Sequence, residues 1–289
     1  MTTATADRRM IARSARRLRR SGSLGASGRI AAGVLAAIVL LAVLGPLLAP
    51  VDPNAVSLSE AYQDPSAEHL LGTDGNGRDL LARLLFGAQT ALLGPLLVVL
   101  VSTVLGTALA LAAVWFGGWF DQVSVRVMDA VFAFPGLLLA ILATALFGAG
   151  LTAAIAALAI AYIPYIGRIV RSAALRERNL PYVAALRVQG VRGLLISLRH
   201  ILPNIAGLIV ANATLAFGFA LMDLAGLSFI GLGVQPPTAD WGATVGTGMS
   251  GILQGHPDEA LFASALIVIT VAAVNVLGDR LTERSEARS

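Results

Sequence analysis

Long apolar stretches alternate with short polar ones along this chain, and the alternation predicts membrane-crossing helices. Apolar segments cover residues 30–49, 91–116, 127–147, 151–169, 205–230 and 260–278. An α-helix needs ~20 such residues to cross a hydrocarbon core of about 30 Å. The third and fourth segments are separated only by Gly148-Ala149-Gly150, a tight turn. The polar remainder divides into residues 1–29, 50–86, 170–204, 235–259 and 281–289. One span, 30–49, therefore precedes a five-helix unit over residues 87–280.

A shorter pattern lies inside residues 170–204. Pro181 suits the first turn of a helix, where its missing N–H costs nothing. Tyr182, Val183, Ala185 and Leu186 follow as an apolar stripe at helical spacing. Gly190 suits the left-handed position that stops a helix. The expectation is a short amphipathic helix with small residues at its centre. A second helical stretch should run to Leu202, where Pro203 breaks it. Such a helix either docks in a groove of a partner or lies on lipid, and the pattern favours neither.

Composition narrows the function classes. The 289 residues are 56% hydrophobic and 13% charged, against about 25% charged in a soluble domain, so the class is a polytopic membrane protein. Cysteine is absent, which excludes disulfides, thiolate nucleophiles and Cys-ligated metal. Lysine is absent too, all 21 basic residues being arginine, so the chain carries no Walker A lysine and no Schiff base.

The arginines set an orientation. Residues 1–29 sum to +7 and residues 168–204 to +6, whereas 50–86 sum to −4 and 235–259 to −3. Positively charged loops stay in the cytoplasm. Both termini and the loop 170–204 are thus expected inside, and 50–86 and 235–259 outside. The first apolar run is longer than the core of a signal peptide and no clean cleavage site follows, so it reads as a retained span. The basic tail reads as disordered or lying on anionic lipid, rather than as a nucleic-acid site.

Ala184-Ala185-Leu186, Gly190 and Leu202-Pro203 resemble the EAA motif of ATP-binding-cassette importer permeases. Tyr182, Val183, Ala185, Arg187, Gly190 and Arg199-His200-Ile201-Leu202-Pro203-Asn204 are similar to its dipeptide/oligopeptide (nickel) form. The departures are Ala184 in the acidic slot and Leu186 in the second alanine slot. Further matching blocks are Leu71 to Asp79, Phe116 to Asp121 with Arg126, Asp129 and Ala133-Phe134-Pro135, and Leu227 to Pro237 with Asp240-Trp241-Gly242. The likeness covers about residues 70–280 and is strongest to the second permease subunit of such importers.

The resemblance implies an all-α membrane protein with six transmembrane helices and the type I importer permease fold. It implies a non-catalytic subunit that moves short peptides, with nickel, glutathione or another small solute as the alternative cargo. Tyr182, Val183, Ala184, Ala185, Leu186, Arg187 and Gly190 would receive the ATPase. No cofactor is implied in this chain, since ATP and magnesium belong to the ATPase. The implied partners are a second permease subunit, one or two cytoplasmic ATPases, an extracytoplasmic peptide-binding protein and the lipid of a bacterial cell membrane.

Several residues carry competing readings. Gly72 to Asp79 has calcium-loop elements, but Arg78 stands where a ligand should be, so a turn is expected. Gly246 to Gly251 fits a dinucleotide pattern without the strand it requires. Gly248-Met249-Ser250-Gly251 with His256 leaves an intramembrane serine peptidase as a distant alternative. Asp223 inside a span reads equally as a polar point on a translocation path and as a structural carboxyl. Phe132, Phe134, Pro135 and Ser228 are the other path candidates. Arg126 and Asp129 read as a local helix pair, and Asn212 and Asn275 as bridges between helices.

Overall fold

In an apolar stretch the backbone has only itself to bond with, so each long segment closes its hydrogen bonds as a helix. The computed structural model describes residues 25–49 and 51–286. The basic tail before residue 25 lies outside the described residues. Among these there are nine α-helices and no β-strand. They are α1 (Gly25–Leu48), α2 (Leu80–Phe116), α3 (Gly118–Phe132), α4 (Gly136–Phe147) and α5 (Leu151–Arg178). Then follow α6 (Pro181–Val188), α7 (Gly193–Phe229), α8 (Trp241–Leu253) and α9 (Asp258–Glu286). Helices α1, α2, α5, α7 and α9 are each long and apolar enough to cross a membrane. The pair α3–α4 makes a sixth crossing if counted as one bent span.

The structure departs from the sequence expectations in five places. Helix α2 starts at Leu80 rather than near residue 91, because Asp79 caps it: its Oδ1 accepts the Ala82 N–H at 2.7 Å. The expected third span is broken, with α3 and α4 meeting at 78°. Pro135 has no N–H to give and biases Phe134 away from helical backbone, so α3 stops at Phe132. The outer loop 235–259 contains α8, a glycine-rich helix whose end is capped by Asp240. The chain does not break at Pro203. A π turn over Ser197–Ile201 widens the helix ahead of it, and α7 continues through. Finally, α9 runs on to Glu286, so residues 281–286 extend the last helix.

Two apolar cores hold the helices together. The larger joins Val98 and Val114 of α2, Ala140 of α4, Leu158 and Ile166 of α5, Val183 of α6 and Leu224 and Leu227 of α7. Helices α2 and α5 approach closely where Gly106 faces Gly167: a Cβ on Gly106 would lie 3.0 Å from the Ile163 carbonyl oxygen. Small residues let membrane helices touch backbone to backbone in this way. The second core lies at the other side of the bundle, where Ile38 and Ala42 of α1 meet Leu84, Ala88, Trp241 and Ala263. Trp241 anchors α8 by donating its indole N–H to the Leu84 carbonyl at 2.9 Å.

The segment 51–79 folds over the ends of α2 and α9 rather than hanging free. Asp74 is buried and accepts the backbone N–H groups of Asn76 and Arg78 and the Arg78 Nε–H at 2.7 Å. The expected turn is therefore present, and Asp74 organises it. Arg83 of α2 donates to the Pro53 carbonyl. His69 pairs with the Asp79 cap at 2.9 Å. Tyr62 stacks on His256, ring centroids 4.8 Å apart, tying the segment to the corner between α8 and α9.

Candidate functional site

The arginine-rich end of the bundle is built around α6. Pro181 opens this helix at its first turn, as its sequence suggests. Gly190 closes it at φ +78°. The Val191 N–H bonds back to the Leu186 carbonyl and the Gly190 N–H to the Arg187 carbonyl. That double bond pattern is a Schellman stop, and its left-handed residue is one that glycine adopts at little cost.

The helix divides into two faces. Val183 is fully buried, and Tyr182 and Leu186 pack against the larger core. Ala184, Ala185, Arg187, Val188 and Gly190 are exposed, Val188 at 89%. The anticipated apolar stripe is thus corrected at one position: Ala185 lies outside with Ala184, because the helix presents Leu186 and not its neighbour to the core. The outward face is small and apolar, with one cation, Arg187.

A polar triangle fixes α6 to the long helices. The Tyr182 hydroxyl donates to Glu177 Oε1 at 2.7 Å, and the Asn204 side-chain N–H donates to the same oxygen at 2.8 Å. Asn204 also reaches the Tyr182 oxygen at 3.2 Å. Glu177 ends α5 and Asn204 begins the long part of α7, so one carboxylate joins three helices. Burial and this acceptor push the Tyr182 phenol up to about 12. Arg178 donates to the Val114 carbonyl and ties in the end of α2 as well. Sequence reasoning counted Glu177 only as a charge. Its contact with Tyr182 depends on the chain reversal at Asn179–Leu180, which spacing does not reveal.

Helix α3 is clamped to the same end. Arg171 of α5 grips Asp121 with two bonds, Nε to Oδ1 at 2.6 Å and Nη2 to Oδ2 at 2.5 Å. Asp129 pairs with Arg168 of α5 at 2.6 Å, which replaces the expected pairing with Arg126. Arg168 also lies over the Phe132 ring, 4.4 Å from its centroid. Phe132, Phe134 and Pro135 are brought together at the exposed break between α3 and α4.

The remaining candidates separate. Asp223 is half-buried on α7, its Oδ2 accepting the Tyr162 hydroxyl at 2.9 Å. Ser228 is buried, and its Oγ accepts the Val234 N–H at 3.1 Å. It lies at the end of α7, covered by the turn that follows, and not on an open surface. Asn212 bonds back to Leu208 of its own helix, so it does not bridge, whereas Asn275 of α9 lies against Gly218 of α7. Ser250 donates to Thr247 within α8, and His256 is stacked on Tyr62. Among the described residues no group of three or more His, Asp or Glu is placed to hold a metal ion. At the opposite end, an open cavity of about 610 Å³ is lined by Asp52, Asn54, Phe86, Gln89, Thr90 and Thr238.

Known proteins share this organisation. Residues 82–289 match the family model described as binding-protein-dependent transport system inner membrane component. Residues 26–68 match the N-terminal TM domain of oligopeptide transport permease C. A putative peptide transport system permease protein of Brucella suis is 42% identical over 278 residues, covering 95% of this chain and 90% of that protein. A dipeptide transport system permease protein of Alkalihalophilus pseudofirmus is 36% identical, covering 86% of this chain and 82% of the relative. A glutathione transport system permease protein of Pectobacterium atrosepticum is 37% identical, covering 88% and 85%. An inward-facing structure of the MetNI methionine ABC transporter superposes with a TM-score of 0.57 at 19% identity, covering 70% of this chain and 96% of that one. It shares the fold. The chain belongs to the inner-membrane components of binding-protein-dependent transport systems, as an ABC importer permease subunit of the peptide and oligopeptide type.

Proposed function

We propose that this subunit carries short peptides into the cytoplasm and takes its driving force from separate ATPase chains through α6. The observation that carries the reading is the outward face of α6: small, apolar and exposed, yet rigidly joined through Tyr182, Glu177 and Asn204 to α5 and α7. A partner that pushes on Ala184, Ala185 and Val188 moves two membrane helices directly. Short peptides are the cargo because the relatives are named for peptide, dipeptide and glutathione transport.

In this reading both termini and α6 face the cytoplasm, supported by the arginine distribution. The extracytoplasmic binding protein docks on the segment 51–79 and on α8, whose mutual contacts give it a preformed surface. A second permease subunit completes the path, and ATP and magnesium are held by the ATPase. Closure of the ATPase dimer shifts the population between inward and outward access. The chain itself makes and breaks no covalent bond.

Ala185→Tyr tests the coupling. Ala185 is exposed, so the larger side chain leaves the fold intact and obstructs only an incoming surface. In proteoliposomes holding the complete importer, peptide uptake should fall by about tenfold or more, the scale of a central interface residue. Wild-type uptake by this variant would overturn the assignment.

A further inference from the structure

We propose that the Asp223 carboxylate, held by Tyr162, is a binding point for the protonated amino terminus of a short peptide crossing the permease. The inference rests on the peptide-importer reading and adds a contact site to it.

Depth comes first. Tyr162 lies eleven residues beyond Leu151, the start of α5, which places it ~16 Å along that helix at 1.5 Å per residue, near the middle of a hydrocarbon core of about 30 Å. The carboxylate that accepts its hydrogen bond is therefore at membrane depth too. A carboxylate there cannot face lipid cheaply, and such groups turn toward protein or water.

The surroundings are lopsided. Leu224, the next residue, is buried and packs against α2, its Cδ1 2.9 Å from where a Cβ of Gly94 would lie. On the other side of α7, Phe219 and Met222 are more than half exposed, and a Cβ on Gly226 would meet nothing within 4 Å. Asp223 sits at the boundary between the packed face and this open one. The cost of a carboxylate facing lipid argues that the open face it borders is covered by water or by protein.

The carboxylate is also incompletely matched. Tyr162 occupies Oδ2, and Oδ1 has no protein donor among the described residues. No arginine or histidine among them lies within salt-bridge distance of it. An ammonium group arriving along the open face would supply the missing donors and the missing charge. Phe219 offers it an aromatic surface of the kind that attracts cations. The tyrosine holds the carboxylate still, so the site is ready before the cargo arrives.

The test uses the complete importer in proteoliposomes, loaded through its binding protein with saturating dialanine or N-acetyl-dialanine. The second probe lacks the ammonium group. Asp223→Asn should lower dialanine uptake by about tenfold, the worth of a charge-assisted hydrogen bond, and leave N-acetyl-dialanine uptake unchanged. Asp223→Glu should keep the preference for the free amine. Equal loss for both probes would overturn the site, because a structural role or a salt bridge to an arginine of the second permease affects every cargo alike. Unchanged dialanine uptake in Asp223→Asn would overturn it as well. If Asp223→Asn does not assemble, Tyr162→Phe decides: a weakened preference for dialanine supports the site, and an unaltered preference overturns it. A wild-type importer that takes up no dialanine with ATP would overturn the peptide reading and this inference together, which separates that failure from the others.

Discussion

Tyr182 fastens α6 by its ring and its hydroxyl together. The ring packs against the larger core and the hydroxyl is bonded to Glu177. Its phenol is pushed up to about 12, first by burial and then by the Glu177 acceptor. A group whose pKa is raised on folding stabilises the fold while it stays protonated. That contribution is complete below its ordinary value of 10.0 and disappears as pH rises through about 12. Tyr182→Phe should cost about 1.5 kcal/mol at neutral pH, the lower end of the range for hydrogen bonds to charged groups. Thermal unfolding in detergent should show a wild-type-to-variant difference that is flat between about pH 6 and 9 and shrinks only above about 10. A difference that varied within the neutral range would place the coupling elsewhere than in the tyrosine proton. Gly190 belongs to the same scale. Its role could be read in sequence because a Schellman stop needs only local chain geometry, whereas the Glu177 contact needed the fold.

At the scale of elements, what could be read depended on whether the cause was local. Pro181, the apolar lengths of α1, α5 and the long part of α7, and the tight turn at Gly148-Ala149-Gly150 follow from nearest-neighbour rules, and the structure has them. Helix α8 is not read from the sequence, since four glycines argue against a helix and outweigh the one local signal for it, the Asp240 cap; packing against α2, α7 and α9 decides. Pro135 is a local signal for the break between α3 and α4, which meet at 78°, whereas the clamp of α3 onto α5 joins residues 50 apart in sequence and has no local signal. That clamp gives a prediction. Arg171→Ala removes both bonds to Asp121 and leaves α3 held by Arg168 and apolar packing. Hydrogen exchange should then speed up across residues 118–132 while residues 151–165 stay protected. Unchanged exchange in α3 would show that packing alone sets its position.

For the whole molecule, the charge distribution and the fold make one joint statement about sidedness. The start of α1 and the end of α9 meet where Arg280 donates to Ser27, so both ends of the described chain lie on one side of the bundle. Helix α6 is at that same side, joined to the end of α5 and the beginning of α7. The acidic segments 51–79 and 235–259 are at the other, stitched together by the stacking of Tyr62 on His256. Arginine-rich against acid-rich thus coincides with the two ends of the helices, which is the condition for a single stable orientation. The chain has no cysteine, so single cysteines report on sidedness without background. Val188 on α6 and Leu253 at the end of α8 are both almost fully exposed, at 89% and 87%, so a cysteine at either removes little packing. In intact cells a membrane-impermeant maleimide should label Leu253→Cys at once and Val188→Cys only after the membrane is permeabilised. The reverse pattern would invert the molecule and separate α6 from any cytoplasmic ATPase. On the proposed coupling, labelling of Val188→Cys should also be blocked when the ATPase is bound, because the same face cannot serve the reagent and the partner together.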